Sequence, residues 1–468
     1  MGARVTDSAL YGHLWGTDEL RAIFDEPARI QSWLDILAAL AKAQAEMNMI
    51  PEAAGPAIAG CARVELLDME LVRRETQLTG HSTLGLIRGL QAILPAGDRE
   101  WVYYGATVQD LTDTWTSLTM KRVGGIVWRD LRLIEAILCD LAERHRNTVM
   151  AGRTHGQTGS PITFGYKAAG WADEVRRHLQ RLGDLPGRCL VGQLGGGVGS
   201  LAFFRGRGIW LRRRFCELLG LADPGISWTS SRDRLAEFTN LLALAVSTLG
   251  RIGNEVYQLQ RPEIGELREP AGDAGVGSIT MPHKRNPELS EHLVTLARLV
   301  RSSAGVILEG TVTEHERDGR AWKAEWVAFP EVCLLTGTAL QFARRILEGV
   351  EVDEAAMLAN LSGWEVSERA LSLLAPFVGK HAAQSELQRV LSEGRQQGRS
   401  VRESLQASET VSAHLDPSAL DSLFGPPDAG EAPEMVDQVV ARIRGERATD
   451  PAVWPSDDIY HGKEPDIA

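Results

Sequence analysis

Between Arg234 and Arg261, the residues Leu235, Phe238, Leu242, Ala245, Leu249, Ile252, Val256 and Leu259 recur in steps of three and four, and no proline interrupts them. Side chains spaced this way share one face of an α-helix, so the stretch reads as a heptad seam on a long helix. A seam of that length needs partners of comparable length, and the natural solution is a bundle of long helices crossing at shallow angles. A second such segment runs from Glu288 towards Leu308. A third spans Trp128 to Arg146, with Leu131, Ile134, Ile137, Leu138 and Leu141 on one face and Arg132, Glu135 and Arg144 largely on the other. Strand signals are scarce, and the glycine-rich segments separate helical stretches instead of joining hairpins. The expected fold class is therefore all-α.

At 468 residues the chain exceeds one ordinary compact domain. Breakers around Pro51 to Pro56 and Leu94 to Asp98 punctuate an N-terminal helical region that ends near Tyr104. Beyond about residue 355 the pattern shortens into smaller amphipathic pieces. We expect three helical domains: an N-terminal one over 1–110, a central long-helix bundle over 111–355, and a C-terminal one over 356–468. Gly425 to Pro433 reads as a loop, and the residues after Pro455 as a loosely held tail.

Charge narrows the function. The 62 acidic residues outnumber the 50 basic ones, for a formal charge of −12, which gives no support for wrapping phosphate backbones. Nucleic acid is excluded as an expected partner. A negative protein that binds an anionic substrate must gather positive charge locally, which draws attention to individual Lys, Arg and His residues. The five cysteines are scattered and lack CxxC spacing, as in a reduced, cytoplasmic protein. No uninterrupted apolar run approaches the roughly 18 residues that span a bilayer, so no membrane association is expected.

The stretch Gly275 to Glu291 reads GVGSITMPHKRNPELSE. Gly275 and Gly277 permit a mobile loop carrying Ser278, while Pro282 and Pro287 stiffen the backbone beyond it and lead into a helix. Taken alone it is a connection. It resembles, however, the GSSxMPxKxN signature of the aspartase/fumarase superfamily, with Gly277, Ser278, Met281, Pro282, Lys284, Asn286 and Glu291 in their places and Ile279 replacing the second serine. The resemblance implies that Ser278 is the general base, on a loop that closes over the substrate. The chemistry suits these residue types. Removing a hydrogen beside a carboxylate adds negative charge to an anion, and Lys284, Asn286 and backbone N–H groups can hold that charge as an oxyanion hole does. The same cluster must stabilise an ionised serine.

Two further segments extend the likeness. YYGATVQDLTDT, from Tyr103, resembles the GATSQDxxDT region of carboxymuconate cycloisomerases, which offers Thr107 and Gln109 to a substrate carboxylate; the plainer reading is a helix cap built by Asp110 and Thr112. GRTHGQTGSPITFGYKAAGW resembles an adenylosuccinate lyase pattern and implies that Arg153, Thr154, His155 and Gln157 line the site, with His155 the general acid for the leaving group. His81, in TGHSTLG, is similar in position to another lyase histidine and joins the catalytic candidates. GQLGGGVGS, Gly192 to Ser200, resembles the family's glycine-rich segment; no strand precedes it, so it is not a dinucleotide site. SSRDRLAEF resembles an RDRxAE element, in which Arg232 is either a structural ion pair or a substrate contact.

The branch signals diverge. His81 and His155 point to adenylosuccinate lyase, whereas EHERDGRAWKAEWVAFPE resembles the corresponding segment of the cycloisomerases. Arg317, Arg320 and Lys323 there lack the spacing to grip a nucleotide phosphate. A small succinyl compound with a nitrogen leaving group, such as nitrosuccinate or an N-substituted aspartate, reconciles the two, giving a carbon–nitrogen lyase that releases fumarate. The alternatives are a 3-carboxy-cis,cis-muconate cycloisomerase, an adenylosuccinate lyase and a non-catalytic helical scaffold. No metal cluster is visible, and no cofactor is expected. The resemblance also implies a homotetramer with shared active sites.

Overall fold

The computed structural model describes residues 4–271, 278–361 and 363–454, so Gly275 and Gly277 of the serine loop and the tail from Pro455 onward lie outside the described residues. The frame is all-α and is made of long helices: Glu26–Glu46 (α1), Val108–Arg144 (α2), Phe164–Gly183 (α3), Asp233–Leu259 (α4), Glu288–Glu309 (α5), Gly319–Gly349 (α6) and Ala432–Thr449 (α7). Helices α4, α5 and α6 pack on one another, α2 lies against α3 and α6, and α7 returns onto α3 and α2. The seam residues Leu235, Phe238, Leu242, Leu249, Ile252 and Val256 are buried in this bundle, as their spacing requires.

By length and composition alone α4 and α6 are apolar enough to cross a membrane, yet 72% and 67% of the respective stretches are buried within the protein. Their apolar character is that of core helices. The amphipathic segment read from Trp128 proves to be the second half of α2, which runs unbroken for 37 residues. Gly124 sits inside it without ending it, because a side chain there would strike the ring of Trp454 at 2.2 Å. The glycine is thus a socket, and Trp454 fills it, donating its indole N–H to the Leu182 carbonyl at 2.8 Å. Asp450, four residues earlier, pairs with Arg132 and Arg176, so residues 450–454 form a strap across α2 and α3.

One element departs from the expected pattern. Val149–Thr154 (β1) and Gln157–Thr163 (β2) form an antiparallel hairpin with Thr154 opposite Gln157. The two residues between them, His155 and Gly156, have φ of +53° and +73°, the left-handed pair that a tight two-residue hairpin turn demands. A second small pair joins Leu267–Arg268 (β3) to Glu351–Val352 (β4). Buried apolar side chains fall into two clusters. The larger runs from Leu20 through the bundle to Trp454 and includes α7; the smaller is confined to residues 370–423.

Candidate active site

Helix α4 sets the geometry, because the candidate residues gather at its two ends. At its start stands the segment around Thr107. Asp110 is buried one turn into α2, where its carboxylate accepts the backbone N–H groups of Thr107 at 2.9 Å, Gly195 at 2.8 Å and Gly196 at 3.0 Å. Burial, against those three donors, pushes the Asp110 carboxyl up to about 7. The glycine-rich segment is thereby moulded around a carboxylate of its own chain, which explains why it needs small residues. Arg317 closes the other side, donating to the Thr107 hydroxyl at 2.9 Å and to the Gly197 carbonyl at 3.0 Å. Its Nε is buried without a hydrogen-bond partner among the described residues.

His81 belongs to the same end. Its Nδ1 accepts from the backbone N–H groups of Thr83 and Leu84 at 3.3 and 3.2 Å, capping the Leu84–Ile93 helix. Thr83, Asp110 and Arg317 in turn face the Tyr103 phenol, whose ionisation burial disfavours. The ring of His81 itself is exposed.

At the far end of α4 lie the other two segments. Glu269 accepts the backbone N–H groups of Leu289 and Ser290 at 3.1 and 2.9 Å and the Ser290 hydroxyl at 2.9 Å, capping α5. Arg285 donates to the Glu269 carbonyl and pairs with Glu351. The serine loop therefore leaves from and returns to the same carboxylate. Within it, the Ser278 hydroxyl oxygen accepts the Met281 N–H at 3.0 Å, and Asn286 donates to Glu288 at 3.2 Å. Lys284 is exposed and has no ion-pair partner among the described residues. The hairpin stands beside this loop, because Arg153 grips the buried Glu266 at 2.9 and 2.5 Å only three residues before Glu269. Thr154, His155 and Gln157 are exposed at its tip.

Three of the candidates are engaged within the chain. Arg232 is buried and gives four N–H groups to Asp113 and Glu325, at 2.5 to 3.0 Å, the contacts of the structural ion pair that was one of its two readings. Gln109 is also buried and donates to the Thr229 carbonyl at 2.8 Å, tying α2 to the turn before α4. Arg153 spends its guanidinium on Glu266, which Asn360 also contacts. Asp110 caps α2 as one reading of the sequence had it, and it also holds Gly195 and Gly196, while Arg317 and Glu269 were not among the candidates read from the sequence. The charge density of EHERDGR was the available signal for Arg317; nothing local marks Glu269, whose role arises from residues twenty positions away.

The two groups are far apart in one chain. Gln109 and Arg232 meet at the start of α4, whereas Gln260, at its end, accepts the Glu269 N–H. At 1.5 Å per residue, the 27 residues of α4 hold them roughly 40 Å apart. His81, Thr107 and Arg317 occupy one end; His155, Ser278 and Lys284 occupy the other.

Comparison with known proteins accords with this frame. A family described as Lyase matches residues 15–301. The chain is 38% identical to N-acetyl-S-(2-succino)cysteine lyase of Dickeya dadantii, over 95% of this chain and 99% of that one. It is 36% identical to nitrosuccinate lyase of Streptomyces davaonensis, over 94% and 95% of the two chains. The solved structure of 3-carboxy-cis,cis-muconate lactonizing enzyme from Pseudomonas putida superposes with a TM-score of 0.85 at 32% identity, covering 94% and 99%. The chain belongs to this lyase family, within the aspartase/fumarase superfamily.

Proposed function

We propose that this lyase eliminates a thiolate from a 2-succino thioether and releases fumarate, with Ser278 as general base. The observation that carries the reading is the stretch Ser278 to Asn286, pinned at Glu269 and Arg285, which sets a hydroxyl six residues from an ammonium that no carboxylate neutralises among the described residues. That ammonium supplies the positive charge that an acidic chain must concentrate where a carbon beside a carboxylate is deprotonated. Ser278 removes hydrogen from the carbon next to one carboxylate; the electron pair forms the double bond, and the carbon–sulfur bond breaks with its pair leaving on sulfur. Likeness to the succinocysteine lyase favours sulfur as the leaving atom.

Carboxylate binding falls to Lys284, Asn286, Thr107, Thr154 and Gln157, joined by Arg317, whose contacts are all to neutral oxygens. His155 and His81 flank the leaving group. A thiolate is stable enough near neutral pH to depart with little help, so these imidazoles orient it in this case and protonate it in an amine case. The separation along α4 supports a site completed by other copies of the chain, as in a homotetramer. Five free cysteines, four of them buried, favour a reducing, cytoplasmic setting.

Carbon–nitrogen cleavage is the second reading, favoured by the likeness to nitrosuccinate lyase, because nitrite also departs without a proton. The deciding experiment measures fumarate released from N-acetyl-S-(2-succino)cysteine, nitrosuccinate and adenylosuccinate, with carboxymuconate assayed separately for lactone formation. Fumarate from the thioether at the highest kcat/KM is the expected result. Turnover of carboxymuconate alone would sink the elimination reading. Ser278→Ala is expected to leave assembly intact and lower turnover by orders of magnitude; a rate within a few-fold of the parent would remove Ser278 from the mechanism.

A further inference from the structure

A cavity of about 620 Å³ opens between the N-terminal helices and the bundle, walled by Trp33, Trp115, Leu235, Trp322, Trp326 and Phe329. Two ties fix its position relative to the candidate site. Arg317 bonds Thr107, and five residues further along both strands of chain the Trp322 indole N–H bonds the Thr112 hydroxyl at 3.2 Å. The segment 317–322 therefore runs beside the first turns of α2, and Thr112, which lines the cavity, lies only about 7 Å along the helix from Thr107. Ser82, next to His81, is also in its wall.

The charges in the lining are mostly spent. Glu325 is held by Arg232, and Arg73 by Glu70 at 2.5 Å; Arg29 and Glu26 alone remain without an ion pair among the described residues. Arg29 is the one cation of the lining without an ion pair among the described residues, which falls short of the clustered donors that a phosphate requires. What the wall offers is aromatic area, and Trp322 and Trp326 stand edge to face with ring centroids 5.0 Å apart.

We infer that this cavity is the leaving-group subsite, and that the chain's substrates are 2-succino thioethers whose sulfur carries a sizeable apolar group. The inference rests on the elimination proposed above. The succinyl half is held at the Thr107 end and by residues from another copy, while the departing thiolate's hydrocarbon body lies against the indoles. Trp322 and Trp326 determine specificity; they take no part in bond breaking.

The test uses the purified full-length chain and a series of 2-succino thioethers made from alkyl thiols of similar acidity: methyl, isobutyl and cyclohexylmethyl, with a 3-phosphopropyl thioether as the charged member of similar length. Fumarate release is monitored by its ultraviolet absorbance. The expected kcat/KM rises at least tenfold from methyl to cyclohexylmethyl, with the phosphopropyl compound poorest. Trp326→Arg, checked for retained helicity by circular dichroism, should lower the cyclohexylmethyl-to-phosphopropyl ratio at least tenfold. Equal kcat/KM across the series on the parent chain overturns the apolar subsite and leaves the elimination standing. No fumarate from any thioether or from nitrosuccinate overturns the elimination itself.

Discussion

His155 occupies a position that its side chain does not favour. An L-residue at φ +53° carries a steric cost that glycine avoids, on the order of 1–2 kcal/mol. Thr154 and Gln157 face each other across the turn, so the conformation is required by a two-residue hairpin and is not a local accident. On the function proposed above, the residue there is retained for its chemistry. His155→Gly is therefore expected to hold or raise the melting temperature while turnover falls at least a hundredfold. A variant that keeps its activity would show that the imidazole has no part in the reaction. Ser278 is a different case, since its hydroxyl already serves a turn through Met281. At this scale the motif spacing offered candidate residues for the chemistry but not their partners. Gln109 read as a substrate contact, and Arg232 as either an ion pair or a substrate contact, because glutamine and arginine bind carboxylates; their burial against Asp113, Glu325 and Thr229 depends on contacts about 90 to 120 positions away.

Among the elements, α3 and the terminal strap show how buried polar groups set stability. His178, on α3, is buried and bonds the Thr248 hydroxyl on α4 at 2.8 Å, and that hydroxyl also contacts Glu174. Burial, with Arg181 nearby, lowers its pKa to about 4. The unfolded chain takes up this proton near pH 6.5 and the folded chain does not, so the stability contribution is complete above about 6.5 and is lost as pH falls towards 4. The full loss is of order 3 kcal/mol. Thermal melting should accordingly fall over that window, and His178→Gln should flatten the profile; an unchanged slope would assign the acid sensitivity to other groups. The strap is a packing device. Trp454→Ala would empty the Gly124 socket and is expected to cost about 3–5 kcal/mol in chemical denaturation. A loss below about 1 kcal/mol would show that residues 450–454 do not clamp α2 to α3.

For the molecule as a whole, the length of α4 is the decisive quantity. Two residue groups held roughly 40 Å apart by one rigid helix do not meet around a substrate of a few ångströms within one chain. In the homotetramer proposed above, copies arranged about symmetry axes would bring one chain's start of α4 to another's end. Two inactive variants, Arg317→Gln at one end and Ser278→Ala at the other, should then complement: co-expressed, they should recover measurable turnover that neither shows alone. Failure to recover any activity in a mixed assembly shown by mass to contain both chains would place each site within a single chain.

The order of apolar residues along the chain was enough to determine the class of fold, because a seam of three-and-four spacing is read by any neighbour that offers a matching face. The lyase signature was equally legible, since the residues from Ser278 to Asn286 lie close together in sequence. Tertiary structure alone decided which end of the bundle each candidate occupies, that Asp110 moulds the glycine segment, and that Trp322 and Trp326 wall a cavity beside Thr107. Those outcomes depend on contacts between segments far apart in the chain, many of them a hundred or more residues distant, and periodicity carries no record of which distant face a helix will meet.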